Sequence, residues 1–306
     1  MLSVKNISKK FGKITAVNDV SFDLQKGEFF SLLGPNGAGK TTTINMISAV
    51  LSPDAGNIYL NGDDIRISPA KSKLHMGIVP QEIALYDDLS AWENLIFWGK
   101  LYRMKEKDLR SRAAYLLELV GLTERKKDKI RTYSGGMKRR INIAAAIMHD
   151  PELVIMDEPT VGIDPHSRTN IYALLDKLHA LGKTILFTTH YMQEAENMSS
   201  RIGIIDHGKL IATGTMEELK VLSGIREAIQ FQLDNVSPNF TLPEHLQGHL
   251  QAEEKKLTIF CSNIRTETPA IMKAISDTGS VIMRMEVLTI NLENIFMQLT
   301  GTQLRD

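Results

Sequence analysis

Short apolar runs alternate with longer amphipathic stretches over most of the chain. The five runs that we predict to be buried strands are Phe29–Leu33, Gly77–Val79, Leu153–Met156, Thr184–Thr189 and Ile202–Ile205. Nearly continuous apolar runs of this length are typical of strands covered on both faces, as in parallel sheets with helices on either side. The pattern up to about residue 222 therefore predicts an α/β domain.

A helix-rich region lies between two strand-bearing parts of this pattern. Ser90 and Glu93 have the spacing of a capping box, which marks the start of a helix. Gly121 follows Tyr115–Val120 and is suited to end another helix. We therefore predict a helical subdomain over about residues 84–147, inserted into the α/β core.

After Gly224 the pattern changes to that of a small α+β unit. There we predict strands over Glu227–Leu233, Leu257–Cys261 and Val281–Leu288, helices over Pro269–Asp277 and Leu292–Leu299, and a loop over residues 234–250. A helix over residues 216–222 precedes this change. We therefore place a boundary near residue 223, with a first domain over residues 1–222 and an accessory C-terminal α+β domain over residues 223–306.

Charge and composition narrow the class of protein. The 306 residues include 36 Lys and Arg against 36 Asp and Glu, so the formal net charge is zero. A protein that coats nucleic acid needs a clear basic excess, so we expect no nucleic-acid partner. The single cysteine, Cys261, excludes an internal disulfide framework and a cysteine-built zinc site.

Hydropathy gives no sign of a membrane segment. No stretch approaches the ~20 apolar residues that a membrane-spanning helix needs. The N-terminal residues MLSVKNISKKFG also lack the apolar core of a secretory signal. We therefore expect a cytosolic protein that does not itself span a membrane.

The loop after the first of these strands has the pattern of a phosphate-binding loop. Gly34-Pro-Asn-Gly-Ala-Gly-Lys-Thr41 matches G-x-x-x-x-G-K-[ST] at every fixed position, and a helix-compatible run follows it. Glycines let backbone N–H groups turn towards phosphate oxygens, and the helix N-terminus adds partial positive charge. Lys40 is placed to reach the β- and γ-phosphates, and the Thr41 hydroxyl to ligate Mg²⁺. The candidate nucleotide-binding residues here are Gly34, Asn36, Gly37, Ala38, Gly39, Lys40, Thr41 and Thr42.

Two acidic residues follow the predicted strand at Leu153–Met156. Asp157 is placed to hold Mg²⁺ through water, and Glu158, one residue further on, can polarise an attacking water. Solvated acids at the end of a strand give the same pattern. Combined with the phosphate-binding loop, the pair indicates hydrolysis of a nucleoside triphosphate that is bound with Mg²⁺.

The segment Tyr133-Ser134-Gly135-Gly136-Met137 lies between these two motifs. It resembles the signature Leu-Ser-Gly-Gly-Gln of the ATP-binding cassette (ABC) ATPases, and it stands just upstream of the acidic strand, in that family's order. The resemblance covers residues 1 to about 222 and implies a P-loop NTPase fold, with a mixed sheet core and a helical subdomain. In this family the signature loop binds the γ-phosphate on the partner subunit, so Ser134, Gly135 and Gly136 are candidate ATP-binding residues. Tyr133 and Met137 depart from the family wording, but the serine and both glycines are kept.

Further residues match single positions of the family. Gln81 matches the glutamine that senses Mg²⁺ and water and touches the membrane subunit, and His190 matches the switch histidine that contacts the γ-phosphate. Asp164 matches the aspartate of the loop that crosses the dimer interface. Because Pro165 follows it, Asp164 is also well suited to cap a helix.

Phe11 matches the aromatic residue that stacks on adenine, although a half-buried position in an early strand explains it too. Taken together, the resemblance implies three catalytic residues and three residues that hold the metal. The catalytic residues are Glu158, His190 and Gln81, and the metal-holding residues are Thr41, Gln81 and Asp157.

The end of the chain carries a second, less specific resemblance. Residues 292–306 look like the tail of ABC ATPases of the drug- and antibiotic-exporter type, in which a small domain follows the cassette and the permease is a separate chain. Leu292, Ile295, Phe296 and Leu299 fall at helical spacing, so an amphipathic helix on the accessory sheet explains the same residues. The resemblance implies an ATP-hydrolysing subunit that powers a membrane exporter, located peripherally on the cytoplasmic face of the membrane.

The implied ligands are ATP and Mg²⁺, and the implied partners are an integral membrane permease on a separate chain and a second copy of this chain. Each cassette holds half of a working site, so ATP joins two copies head to tail.

Two alternatives stay open. One is a soluble ABC ATPase that acts on nucleic acid or ribosomes, although such relatives generally carry two cassettes or a long coiled coil. The other is a P-loop kinase or switch, which needs an acceptor site where Glu158 stands.

Overall fold

The computed structural model describes residues 1–225, 227–235, 250–253, 255–261, 264–288 and 290–301. The chain divides into two compact units, of which the first contains Met1–Met216 and the second is Glu217–Thr302. The division falls at the start of the helix predicted over residues 216–222, a little before the predicted boundary near residue 223. The two units are described separately below.

The helices and strands have the following bounds. The strands are β1 (Leu2–Phe11), β2 (Ile14–Leu24), β3 (Phe29–Leu33), β4 (Ala55–Leu60), β5 (Asp63–Asp64), β6 (Met76–Val79), β7 (Leu153–Asp157), β8 (Thr184–Thr189), β9 (Arg201–Asp206), β10 (Lys209–Gly214), β11 (Glu227–Leu233), β12 (Leu250–Glu253), β13 (Lys256–Cys261) and β14 (Ile282–Leu288). The helices are α1 (Lys40–Ile47), α2 (Pro69–Lys73), α3 (Ala91–Leu101), α4 (Glu106–Leu119), α5 (Gly135–Ala146), α6 (Pro165–Ala180), α7 (Met192–Met198), α8 (Met216–Ser223), α9 (Ile264–Asp277) and α10 (Leu292–Thr300).

A six-stranded sheet in the order β10-β9-β3-β8-β7-β6 forms the centre of the first unit. Its five strands from β9 to β6 are parallel, and β10 joins β9 as an antiparallel hairpin. These five parallel strands are the five predicted apolar runs, so that prediction is confirmed. Because the strands run in the same direction, the loops that follow β3, β8, β7 and β6 meet at one edge of the sheet.

Side chains of the central strands alternate between two apolar clusters, one on each face of the sheet. On β7, Val154 and Met156 belong to the cluster that also contains residues of α3, α4, α5 and α6. Leu153 and Ile155 belong to the cluster that contains residues of α1, β1 and β2. This two-sided burial explains why the strands have nearly continuous apolar sequences.

The helical region contains α3, α4 and α5, which pack on the first of these clusters. The predicted capping box is present: the Ser90 backbone N–H donates to Glu93 Oε2 at 2.7 Å, and the Glu93 N–H donates to Ser90 Oγ at 3.2 Å. Gly121 follows the end of α4 with a φ of +66°, a backbone conformation that favours glycine. Both predicted helix boundaries are thus confirmed.

A second sheet of the first unit was not predicted from the apolar pattern. Its four strands are antiparallel in the order β2-β1-β4-β5. The ladder between β1 and β2 shifts register after Val4, Ile7 and Lys9. Each shift breaks the period of two, so the alternation of polar and apolar residues that marks a half-buried strand is lost.

The second unit has an antiparallel sheet in the order β12-β13-β11-β14. Helix α9 packs on it through Ile271 and Ile275, which share a buried cluster with Ile229, Phe231 and Ile259. The predicted strands correspond to β11, β13 and β14, and the predicted last helix corresponds to α10. Most of the loop predicted over residues 234–250 lies outside the described residues.

The predicted start of α9 is wrong. Proline favours the first turn of a helix and Pro269 therefore predicts a start there, but α9 begins at Ile264 and contains Pro269 in its second turn. The Thr268 hydroxyl donates to the Ile264 carbonyl oxygen at 2.5 Å, which supports the first turn. No helix in the described part of the chain has the length and apolar content needed to cross a membrane.

Candidate functional site

The loop between β3 and α1 is shaped by glycines at the edge where the parallel strands end. Gly37 and Gly39 have φ angles of +80° and +102°, which side chains rarely adopt. A Cβ on Gly39 would lie 2.5 Å from the carbonyl oxygen of Ala16, and one on Gly34 would collide with the carbonyl oxygen of Ile205. The loop therefore passes so close to neighbouring backbone that larger residues are excluded.

This loop forms one wall of a cavity of about 420 Å³. The residues that line the cavity are Phe11, Ala16, Asn36, Gly37, Gly39, Lys40, Thr41, Thr42, Gln81 and Glu158. Phe11 is 50% exposed at the end of β1, so its ring is accessible from the cavity. The predicted nucleotide loop, the predicted aromatic residue and two predicted catalytic residues thus share one site.

Lys40 is the buried cation of this cavity, with only 4% of its surface exposed. Its ammonium group donates to the carbonyl oxygens of Gly34 and Pro35 at 2.6 and 3.0 Å. It also lies 3.0 Å from Glu158 Oε1, so the loop lysine and the acid after β7 form a buried ion pair. A buried charge needs such partners, because removing an ion from water without them costs on the order of several kcal/mol.

Glu158 sits in a strained backbone conformation, with a φ of +43°. Its backbone N–H donates to Thr188 Oγ1 at 3.0 Å, which helps to hold this conformation. His190 Nδ1 lies 3.2 Å from Glu158 Oε2, although without the alignment of a hydrogen bond. The carboxylate therefore lies between Lys40 on one side and His190 on the other.

Thr188 also holds the other acid of the pair. Its hydroxyl donates to Asp157 Oδ1 at 2.6 Å while it accepts from the N–H of Glu158. Asp157 and Thr188 are both buried and lie directly opposite each other on β7 and β8. One hydroxyl thus holds both the Asp157 carboxylate and the backbone of Glu158.

His190 is positioned by a buried carboxylate in the next helix. Glu194 accepts from the Thr189 hydroxyl at 2.6 Å and from the Tyr172 hydroxyl at 2.7 Å. Burial, together with this hydrogen bond to Glu194, raises the pKa of Tyr172, so the phenol remains a donor at neutral pH. These contacts fix the backbone at the end of β8, where His190 follows.

Gln81 follows β6 in an exposed loop, and the helix α5 holds that loop. The Arg139 guanidinium donates to the carbonyl oxygen of Pro80 at 2.7 Å and to that of Gln81. Asn142, one turn further along α5, accepts from the N–H of Ala84 at 3.1 Å. Arg139 is only 3% exposed, and burial lowers its pKa. The segment that carries Gln81 is therefore anchored to α5.

Replacing Arg139 by Met should lower kcat of the predicted nucleotide hydrolysis about tenfold with little change in KM, since the guanidinium no longer donates to the Pro80 and Gln81 carbonyl oxygens and Gln81 is no longer held. Arg140→Met is the matched control, because Arg140 follows on the same helix but donates to the carbonyl oxygen of Val120 at 2.6 Å. We expect this control to lose stability and to keep its kcat. Equal losses of kcat in both variants would assign the effect to packing of α5 instead.

The signature segment stands at the N-terminus of the same helix. Ser134 caps α5 by accepting from the N–H of Met137 at 3.3 Å. Gly136 lies so close to Ser167 on α6 that a Cβ on Gly136 would collide with the Ser167 side chain. Asp164 caps α6 by accepting from the N–H of Ser167 at 2.9 Å, which lowers its pKa. The helix-capping alternative for Asp164 is therefore present in the structure.

The structure groups the predicted site residues in two places. The cavity wall contains Phe11, Gln81, Glu158 and six of the eight predicted nucleotide-loop residues, whereas Gly34 and Ala38 of that loop are buried and do not line it. Asp157 is bonded to Thr188, and His190 lies beside Glu158. Ser134, Gly135, Gly136 and Asp164 lie where α5 meets α6 and are not among the described residues that line the cavity. The sequence analysis missed Thr188, Glu194 and Arg139, because each acts through a partner that only the folded chain brings near.

The glycine loop at the end of β3, the buried lysine and the two acids at the end of β7, two strands away in the same parallel sheet, define a P-loop ATPase. The ABC transporter family profile matches residues 17–161. The chain belongs to the ATP-binding subunits of ABC transporters, of the exporter type. Subunits of this family hydrolyse ATP, dimerise and work with separate membrane components.

Individual relatives agree with this assignment. The chain is 47% identical to the linearmycin resistance ATP-binding protein of Bacillus subtilis strain 168, over 100% of both chains. It is 37% identical to the Nod factor export ATP-binding protein I of Ralstonia nicotianae, over 100% of this chain and 95% of that protein. A dimeric ATP-binding cassette in a post-hydrolysis state with ADP and Pi superposes with a TM-score of 0.64, at 30% identity, over 71% of this chain and 99% of the other.

Proposed function

We propose that two copies of this chain, with ATP and Mg²⁺, power the export of an antibiotic-like cargo through a separate integral membrane permease, from the cytoplasmic face of the membrane. The observation that carries the proposal is the half-built site. The cavity brings together Lys40, Glu158 and Gln81, whereas Ser134 and Gly136 lie on another surface. A second copy supplies the missing half.

The donor set of the cavity fits Mg²⁺. Thr41 offers a hydroxyl, Gln81 an amide oxygen and Asp157 a carboxylate oxygen, all hard oxygen ligands of the kind that Mg²⁺ prefers. The described residues contain no cluster of three His, Cys, Asp or Glu side chains that would hold a metal alone. When bound, Mg²⁺ neutralises charge on the phosphates.

The loop and its neighbours bind the nucleotide. Phe11 offers an exposed ring at the cavity rim, where adenine stacks. The backbone N–H groups of the glycine loop and of Thr41 and Thr42 at the N-terminus of α1 face the phosphates. Lys40 is held by two carbonyl oxygens of its own loop, so its ammonium group is already in place. The site is therefore preorganised for a triphosphate.

Glu158 is the residue that activates water. Its Oε1 is paired with Lys40 at 3.0 Å. Triphosphate oxygens compete for Lys40, which frees Glu158 to accept a proton from water. His190, 3.2 Å from Oε2, and Gln81 lie beside the reacting atoms and orient them. The backbone conformation of Glu158, held by its hydrogen bond to Thr188 Oγ1, orients the carboxylate towards this proposed water.

The signature residues act on the nucleotide of the other copy. Ser134 and Gly135 are exposed at the N-terminus of α5, a helix of twelve residues whose dipole favours an anion. Asp164 lies close by, at the start of α6, and reaches across the interface. The γ-phosphate then bridges two copies, and hydrolysis removes that bridge.

Antibiotic-like cargo is supported by the relative named for linearmycin resistance, which is similar to this chain from end to end. In a strain of the source organism that lacks this chain, we expect a several-fold fall in the linearmycin concentration that inhibits growth. The wild-type gene should restore resistance, and Lys40→Ala should not, because the phosphate-binding ammonium group is lost. Lys127→Ala, at an exposed lysine outside the cavity, is the matched control. Unchanged sensitivity after deletion would reject this cargo and leave the ATPase assignment untouched.

A further inference from the structure

The strand β14 is an edge of the sheet in the second unit, among the strands that the structure describes. Apolar side chains are exposed along it: Met283 by 67%, Met285 by 45% and Val287 by 40%. Exposed edge strands offer unpaired backbone groups, and proteins usually cover or blunt them. An edge strand with exposed apolar side chains therefore needs an explanation.

The exposed side chains continue a face that is buried elsewhere in the sheet. Met285 is paired with Phe231 and Val287 with Ile229 on β11, so these four side chains lie on one face. Ile271 and Ile275 of α9 bury Phe231 and Ile229, but not their neighbours on β14. The apolar surface thus extends past the helix to the free edge.

The charges on β14 are complementary to themselves. Arg284 and Glu286 flank Met285 and form an ion pair within the strand at 3.4 Å. In an antiparallel pair of two β14 strands related by a two-fold axis at Met285, Arg284 of each copy lies opposite Glu286 of the other. A two-fold axis at Glu286 would instead place two Glu286 side chains opposite each other. Among the two-fold registers, the one at Met285 is therefore the register that places Arg284 and Glu286 of the two copies opposite each other.

We propose that β14 pairs antiparallel with β14 of a second copy, with Met285 opposite Met285, and that this pairing joins two chains in the absence of nucleotide. The arrangement is isologous, as closed two-fold dimers require. It adds two cross-strand Arg284–Glu286 pairs, and it brings the exposed Met285 and Val287 of both copies together on one face. The two sheets become one continuous sheet.

Two features of β14 resemble the devices that protect free edges, namely a register shift and charged side chains. The shift lies between the pairs of Gln232 and Leu233, at Met283, so β14 is regular from Arg284 to Leu288. The centre of the proposed pairing falls inside that regular segment. Charges block pairing when like charges meet, whereas here the two-fold axis matches opposite charges.

The pairing is independent of the ATP-dependent contact in the proposed function, but it would assist that contact. Once two chains are joined at β14, the contact between their cassettes becomes intramolecular. Short tethers give effective concentrations of roughly millimolar for such a contact. The cassettes would then remain partnered after hydrolysis. Loss of the β14 contact and loss of the ATP-dependent contact are distinguishable, because only the second requires nucleotide.

Sedimentation equilibrium of the full chain without nucleotide tests the proposal through a charge swap. Arg284→Glu and Glu286→Arg each create two like-charge pairs per dimer, so each should raise the dissociation constant by about tenfold or more. The double variant R284E/E286R restores opposite charges and should recover the wild-type value. Lys273→Glu, at an exposed position on α9, is the control and should change nothing.

A monomeric wild-type chain at every concentration, or a double variant no better than the single ones, would overturn the proposal. If β14 binds the membrane partner instead of a second copy, the isolated wild-type chain should be monomeric at every concentration. Crosslinking gives a second readout that does not depend on affinity. With diamide as oxidant, Met285→Cys should form a disulfide-linked dimer without nucleotide, whereas Met272→Cys on α9 should not. The native Cys261 is buried and burial raises its pKa to about 11, so it contributes little background.

Discussion

Replacing Glu158 by Gln is expected to lower ATP hydrolysis by about 10²- to 10³-fold, because the amide cannot accept a proton from water. ATP binding should survive, since Lys40 and the glycine loop are unchanged. The variant should therefore accumulate as an ATP-bound dimer. The measurements are phosphate release under saturating MgATP and, in the Arg284→Glu background that removes the proposed β14 pairing, the mass of the species with and without ATP by light scattering after size exclusion.

Glu118→Gln is the matched control for this variant, because Glu118 is exposed on α4 and lies outside the cavity wall. It removes the same charge and should leave both turnover and dimer formation unchanged. Turnover of the Glu158→Gln variant at the parent rate would reject Glu158 as the water-activating residue. Loss of ATP binding would show instead that the Lys40–Glu158 ion pair holds the glycine loop in shape.

The second large effect is expected from Ser134→Arg, which places a bulky cation where the other copy's γ-phosphate is proposed to bind. The ATP-dependent dimer should be lost, and hydrolysis should fall by about 10²-fold, as expected when an anion-binding group is removed. Each copy should still bind ATP, because its own cavity is lined by other residues. Ser276→Arg, at an exposed position on α9, is the control.

Mixing the two variants gives a sharper test of the shared site. In a mixed pair, the cavity of the Ser134→Arg copy keeps its Glu158 and meets the intact Ser134 of the Glu158→Gln copy. One complete site is restored, so the mixture should hydrolyse ATP although neither variant does so alone. A mixture as inactive as its components would count against a site that is built from two copies.

The parts of the fold that are encoded locally were predictable. The five parallel strands carry their burial on both faces in a continuous apolar sequence, and Ser90 and Glu93 carry their capping box within four residues. The antiparallel sheet of β1 and β2 was not predictable, because three register shifts erase its alternation. The start of α9 was missed because tertiary packing of Ile271 tolerates Pro269 inside the helix.

The same division applies to the site. The glycine loop is a local pattern, because neighbouring residues bind one ligand. Thr188 and Arg139 are invisible to pattern reasoning, since Thr188 contacts Asp157 across 31 residues of sequence and Arg139 contacts Gln81 across 58. Their roles depend on which strands become neighbours and on which helix covers the loop. Such contacts require the folded chain.

Helix α5 has a mechanical consequence for the proposed pair. Arg139 lies five residues from Ser134, a distance of about 7.5 Å along a helix, and helices resist stretching. We therefore expect a displacement of the Gln81 backbone to displace Ser134 as well, because Arg139 joins that backbone to α5. In the proposed pair, Gln81 belongs to the copy's own site and Ser134 to the site of the other copy, so α5 would connect the two sites as a rigid element. We therefore expect ATP hydrolysis at the two sites to be coordinated, because a movement at one site displaces α5 and so changes the other site.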